Sequence, residues 1–280
     1  MPASVSVIIP TYNRIAHLVK AIDSVLAQSY RNFEIIVVDD GSDDGTQEIV
    51  ASYGHPVSYI HQPNRGVSAA RNAGVKGAKY SFLAFLDSDD RYEPDKLKIQ
   101  VEALESSPEH LISHTDEVWY RQGKILSQKK KHARSGGDIF ERSLELCVVG
   151  MSTVMVRREF FDLVGLFDES LPCCEDYDLW LRAGCRYPFL LVPKPLTIKD
   201  GGRPDQLSAI HREGMDKYRI QSLVKLLESA LLSVRQTELA SEELCRKCTV
   251  YGNGCLKHGR EEEGRAFLKL ASEYRAPSLI

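Results

Sequence analysis

Two continuous apolar runs, Val5 to Ile9 and Ile35 to Val38, enclose a segment in which Ile15, Leu18, Ile22, Val25 and Leu26 recur at helical spacing. This order limits the fold more than any other feature of the chain. A strand covered on both faces reads as an unbroken apolar run, and it needs a helical crossover to reach a parallel neighbour. The pattern continues: Val57 to His61 and Phe82 to Leu86 are predicted strands, joined by the Gly- and Ala-rich stretch Gly66 to Ala78, predicted as a helix packed closely on the sheet. Glu93-Pro94-Asp95 opens a further helix with Leu97, Val101 and Leu104 as its inner stripe, since proline and acids suit a helix start. Up to about residue 115 the chain is therefore predicted to be α/β, with a mostly parallel sheet flanked by helices in the Rossmann-like manner.

Beyond that point the pattern loosens. Gln122 to Gly137, with Lys129, Lys130, Lys131, His132 and Arg134, is predicted as a basic surface loop, and strand signals return at Thr153 to Val156 and Phe189 to Val192. From Ser208 onward only helical patterns occur, which predicts a body over residues 1–207 (halves 1–115 and 116–207) and a helical C-terminal extension over 208–280.

The 280 residues are 43% apolar and carry a net charge of −3, enough for a sizeable core but without the basic footprint of a nucleic-acid binder. No run is long and apolar enough to span a bilayer, and the N-terminus reads as a strand rather than a signal peptide. Seven cysteines, an odd number, argue against a disulfide framework and predict a reducing, cytoplasmic setting.

In open parallel sheets, ligands bind beyond the carboxyl ends of the strands. Here those ends are polar: Pro10-Thr11-Tyr12-Asn13-Arg14 after the first strand, Asp39-Asp40-Gly41-Ser42 after the second, and Asp87-Ser88-Asp89-Asp90 after the fourth. No GxGxxG turn follows the first strand, so a diphosphate must be neutralised by other means. Paired aspartates at a strand exit suit a hard divalent cation that joins protein carboxylates to substrate phosphates.

Together SVIIPTYNR, IIVVDDGSDDGT, NRGVSAARNAG, FLDSDDRYEP and EDYDLWLR resemble the inverting family 2 glycosyltransferases of GT-A fold, over roughly residues 4 to 200. Each motif alone is weak, whereas five in this order are specific. The resemblance implies a Mn²⁺- or Mg²⁺-dependent transfer from a nucleoside-diphosphate sugar, with uridine as the favoured nucleoside, to a hydroxyl of a glycan or lipid-linked glycan. It puts Tyr12 on the face of the base, Asp40 or Asp39 on its edge, and Pro10, Thr11, Asn13 and Arg14 around base and ribose. Arg71 and Asn72 then lie near the base and diphosphate. Asp87, Ser88 and Asp89 match the DxD motif, with Asp89 the principal metal ligand and Asp87 nearer the ribose. Glu175 and Asp176 match the acidic pair at the acceptor, with Asp176 as general base.

Other readings stand beside these. Asp39 to Ser42 and Asp87 to Asp90 also suit turns and helix caps, and Glu175, Asp176 and Asp178 also suit a helix N-terminus. Trp180 fits core better than a sugar platform, and Ser152 and Thr153 read as ordinary. Cys245, Cys248, Cys255 and His258 follow C-x2-C-x6-C-x2-H, which admits either zinc or packed thiols on a helix, Glu242 to Tyr251, closed by a Gly-Asn-Gly turn. The basic run admits either a solvated loop or peripheral contact with anionic membrane or lipid diphosphate. Gly201 to Gln206 reads as a loop able to close over a donor, with Arg203 where the family often has histidine. A nucleotidyltransferase would want a basic, glycine-rich loop after strand one, which is missing. A catalytically silent sugar-nucleotide sensor or scaffold is the alternative from another class.

Overall fold

The computed structural model describes residues 3–121, 123–127 and 133–274. In chain order the elements begin with β1 (Val5–Thr11), α1 (Ile15–Leu26), β2 (Phe33–Asp39), α2 (Thr46–Tyr53), β3 (Val57–His61), α3 (Val67–Gly77) and β4 (Phe82–Phe85). These form the parallel half of one sheet, ordered β3-β2-β1-β4. Successive β1 residues point to opposite faces, as strand geometry requires. Val5, Val7 and Ile9 pack with Leu18, Ile22 and Val25 of α1, while Ile8 packs with Ala70 and Val75 of α3. A methyl group on Gly74 would lie 2.4 Å from Ile8, so glycine is what lets α3 approach the sheet this closely.

The chain continues through β5 (Asp90–Tyr92), α4 (Lys96–Glu105), β6 (Ile112–Arg121), β7 (Lys124–Ile125), α5 (Phe140–Glu145), a 3-10 turn (Met151–Thr153), β8 (Met155–Arg157), α6 (Glu159–Val164), α7 (Glu175–Gly184) and β9 (Leu190–Gly201). Here the sheet is mixed rather than mostly parallel: β8 runs antiparallel between β4 and β6, β6 and β9 are parallel, and β5 is antiparallel to β9. The predicted strand at Phe189 to Val192 is the start of the longer β9. It runs through Pro193 and Pro195, and the β6–β9 register shifts at Thr115/Asp116 and again at Asp116/Glu117. A bulge accommodates prolines that cannot donate to a ladder, which is why the sequence pattern stops early. Thr153 lies in the 3-10 turn, and β8 begins at Met155. Part of the expected basic loop is a short hairpin, since β7 pairs with β6, whereas Lys129, Lys130, Lys131 and His132 lie outside the described residues.

The remaining elements are helical: α8 (Leu207–Ile210), α9 (Met215–Glu228), α10 (Val234–Lys257) and α11 (Glu261–Glu273). Ser233 caps α10 with a reciprocal capping box to Gln236. The expected turn at Gly252-Asn253-Gly254 does not occur, because both glycines lie inside α10. A Cβ on Gly252 would sit 2.9 Å from the Gly264 carbonyl, so this glycine serves the close crossing of α10 and α11. Leu223, Leu226, Leu244, Cys248 and Ala271 share one core with Phe140, Leu144, Tyr177 and Leu181, so these helices are packed onto α5 and α7. Among the described residues no helix is long and apolar enough to cross a membrane.

Candidate active site

The acidic strand exits open on a cavity of about 410 Å³ lined by Pro10, Arg14, Arg71, Asp87, Ser88, Asp89, Glu175 and Asp176 among others. Asp87 and Asp89 follow β4, Glu175 and Asp176 begin α7, and Arg71 of α3 joins the two groups. Its guanidinium is buried, with Nη2 2.6 Å from Asp87 and Nη1 on Glu175. Burial alone would raise the Asp87 carboxyl, but Arg71, Lys199 and Arg14 hold it below its ordinary value. Asp176, next to Glu175, faces the cavity and accepts the Tyr177 amide at 2.7 Å. Asp178 is separate, paired with Arg182 at 2.8 Å. Glu175, Asp176 and Asp178 all lie in the first turn of α7, as the helix-start reading expects, and Glu175 and Asp176 also line the cavity.

Asp89 is gripped from two directions. Arg203 pairs with it, Gln206 Nε2 donates to it at 3.1 Å, and Arg14 lies 3.6 Å away. Arg14 and Arg203 each also reach the Asp205 carboxylate at 3.2 Å, so the loop after β9 is pinned across the DxD segment. Asp90 sits behind, accepting from Ser152 Oγ at 2.6 Å; burial, with Asp89 and Asp87 adding to it and Lys199 opposing, pushes its carboxyl up to about 8. Ser152 Oγ also accepts the Asp87 amide at 3.0 Å. This serine is thus the strut that fixes Asp87 relative to Asp90, a role its sequence context did not suggest.

The other expected donor contacts lie at adjoining strand exits, outside the cavity lining. Tyr12 is 48% exposed, and Thr11, paired in register with Asp39, has a buried hydroxyl without a partner. Asn13, at φ 49°, accepts the Asp43 amide and donates its own to Ser42. Asp40 accepts from Gln62, Arg65 and Gly66, while Asp39 accepts from Ser42 and Tyr59. Both carboxylates are buried, Asp40 with three donors and Asp39 with two. Asn72 does not line the cavity. Its amide bonds Phe167 in both directions and Glu169 at 2.9 Å, stapling α3 to the 167–169 segment.

Residues that no motif announced complete the cavity. Glu117 and Trp119 come from β6, Lys199 from β9, Arg134 and Cys147 from the segments flanking α5, and Arg219 from α9. Glu117 accepts from Trp119 Nε1 at 2.7 Å and from Arg134, and Lys199 lies 3.6 Å from Asp90. No periodicity or motif in the sequence marked them. Trp180 is core, with Nε1 on the Val149 carbonyl. The cysteine pattern resolves as packing: Cys245 donates to the Ala271 carbonyl, and Cys248 and Cys255 are buried.

The carboxylate oxygens of Asp87 and Asp89 are hard donors of the kind a divalent ion takes, and such an ion would have to displace the guanidinium groups of Arg203 and Arg14 from Asp89. Among the described residues no three His, Cys, Asp or Glu side chains form a complete ligand cage.

Comparison with known proteins agrees with this geometry. Residues 6–162 match Glycosyl transferase family 2. An uncharacterized glycosyltransferase of Rickettsia prowazekii is 36% identical over 188 residues, 64% of this chain and 58% of that protein, so the chain spans under two thirds of that relative's length. The crystal structure of S. aureus TarS 1–349 in complex with UDP-GlcNAc superimposes with a TM-score of 0.75 at 20% identity, covering 96% of this chain and 79% of that one. The mannosyltransferase PcManGT from Pyrobaculum calidifontis, in complex with GDP-Man and Mn²⁺, gives 0.62 at 17% identity, covering 98% and 85%. These likenesses extend the GT-A fold over nearly the whole chain, and the sequence match, which takes in the first four of the five motifs, establishes that the chain belongs to glycosyl transferase family 2.

Proposed function

We propose that this chain transfers a sugar, with inversion, from a nucleoside-diphosphate sugar to a hydroxyl of a glycan or lipid-linked glycan. The observation that carries the reading is the single cavity onto which Asp87 and Asp89 open from one side and Glu175 and Asp176 from the other, with Arg71 between. Attack and departure on opposite faces of the anomeric carbon need acid and base functions supplied from different parts of the chain. Asp176 takes the proton of the acceptor hydroxyl as its oxygen bonds to that carbon. The bond from carbon to the diphosphate oxygen breaks, and the nucleoside diphosphate leaves with the electron pair. Arg14 and Arg203, now on Asp89, are the cations nearest the departing charge. Bound Mn²⁺ or Mg²⁺, held by Asp89 and Asp87, would supply Lewis-acid stabilisation of that charge.

Uridine is the proposed nucleoside, with the exposed Tyr12 ring against the base and Asp40 or Asp39 on its edge. Support comes from their adjacency at the β1 and β2 exits. TarS, described with UDP-GlcNAc, and PcManGT, described with GDP-Man and Mn²⁺, share the fold, which makes a nucleotide-sugar donor and a divalent ion the natural first trials.

The test separates binding from chemistry. Asp176→Asn is expected to retain UDP binding by calorimetry while transfer falls by about two to four orders of magnitude, the range of a lost general base. Asp89→Ala is expected to lose the Mn²⁺-dependent part of UDP binding. Equal transfer by wild type and Asp176→Asn rules out the base, and donor binding by the wild type without transfer to any acceptor favours a silent sensor.

A further inference from the structure

Three thiols stand in the wall of the active cavity, and the proposed reaction uses none of them. Cys173 and Cys174 immediately precede Glu175, Cys147 lies beyond α5, and all three line the cavity. The Cys174 thiol donates toward Cys173 Sγ at 4.0 Å and lies 3.8 Å from the Met215 carbonyl. Cys174 occupies the N-cap of α7 in the left-handed region, φ 64°, and its carbonyl accepts the Asp178 amide at 3.1 Å, closing the first helical turn. The residue that carries one thiol therefore also sets the start of the helix from which Glu175 and Asp176 project.

We propose that Cys173 and Cys174 form a dithiol site that is bridged by a soft, thiophilic trivalent centre of the arsenical class, and that bridging disarms Asp176. Adjacent residues with sulfurs 4.0 Å apart are placed for one atom to bond both. Both side chains are buried, 3% and 8% exposed, but they line the cavity, whereas Cys248 and Cys255 are fully buried and do not. Accepting the Cys174 thiol, with the Arg219 cation nearby, makes Cys173 the more acidic of the pair, although burial and the Glu175 and Asp176 carboxylates act against this, and the thiolate is the attacking form. With phenylarsine oxide the chemistry balances without redox: two As–S bonds form, the As=O bond breaks, and its oxygen leaves as water with both thiol hydrogens. The phenylarsenic group then stands in the cavity wall immediately before Glu175 and Asp176, where it obstructs an acceptor's approach to Asp176.

The loss of transfer rests on the reading of Asp176 as base, while uptake of the arsenical does not, so the two are read separately. Folded wild-type protein is treated with phenylarsine oxide, then assayed by intact mass, by UDP calorimetry and by transfer. The expected result is one phenylarsenic adduct per chain, UDP binding retained, and transfer lost, then restored by 2,3-dimercaptopropanol. Cys173→Ser and Cys174→Ser are expected to lose the adduct and keep UDP binding, whereas Cys245→Ser keeps the adduct, UDP binding and basal transfer. No adduct on the folded wild type, an adduct that persists in both serine variants, or an adduct that leaves transfer unchanged would each overturn the proposal. If Asp176→Asn transfers normally, the base assignment fails, while adduct formation still reports on the dithiol.

Discussion

Arg71 is buried with its two terminal nitrogens on different carboxylates, Asp87 and Glu175, and its charge lies over the Phe167 ring at 5.5 Å. Removing the cation leaves the buried Glu175 and the part-exposed Asp87 unpaired, so Arg71→Met is expected to cost about 3 kcal/mol in denaturant unfolding, the lower end of the range for a broken buried pair. His114 sets a second residue-scale expectation. Burial, helped by Arg134, lowers it from 6.5 to about 4, so it is neutral when folded. Between those values the unfolded chain binds the extra proton, and stability falls as pH drops through the window. The expected loss from pH 7 to pH 4 is about 3 kcal/mol at most, and His114→Leu should flatten the acid limb of the stability profile. Residues of this kind divide by how visible they were. Asp87, Asp89, Glu175 and Asp176 were legible because the chemistry concentrates acids at strand and helix ends. Glu117, Lys199, Arg134 and Ser152 were not, because a buried charge or hydroxyl gains its role from a partner far along the chain.

At the scale of elements, close approach decides the placement of α3 and of the α10–α11 pair. Gly74 lets α3 lie against Ile8 and Val38, and α3 carries Arg71. Gly74→Ala is expected to cost about 1–3 kcal/mol by overpacking. It is also expected to weaken UDP binding by moving Arg71 away from Asp87, and calorimetry at a temperature where the variant stays folded checks this. The parallel half of the sheet was readable from its continuous apolar runs, since both faces are covered. The second half was less so: β5 has three residues, β9 carries two prolines across a bulge, and the glycines inside α10 mimic a turn. In each case a tertiary contact overrode the local signal.

Across the whole molecule, the C-terminal helices form part of the wall of the cavity. Arg219 of α9 lines it, and the buried Lys247 of α10 donates to the Glu145 carbonyl at 3.1 Å, tying the helices to α5. The sequence showed these helices and their apolar stripes but not what they cover, because helical periodicity carries no information about partners. With the sheet exits in front and α7 and α9 behind, one cavity gathers the two acidic pairs with Arg14 and Arg71, while the proposed nucleobase contacts lie at the adjoining strand exits. The most direct measurement is anomalous diffraction at the manganese edge from crystals soaked with UDP and Mn²⁺. The expected result is a single strong peak in the cavity beside the Asp89 carboxylate, bridging to the diphosphate, with Asp176 across the open space from it. A manganese peak and nucleotide bound elsewhere, with Asp89 still held by Arg203, would contradict it.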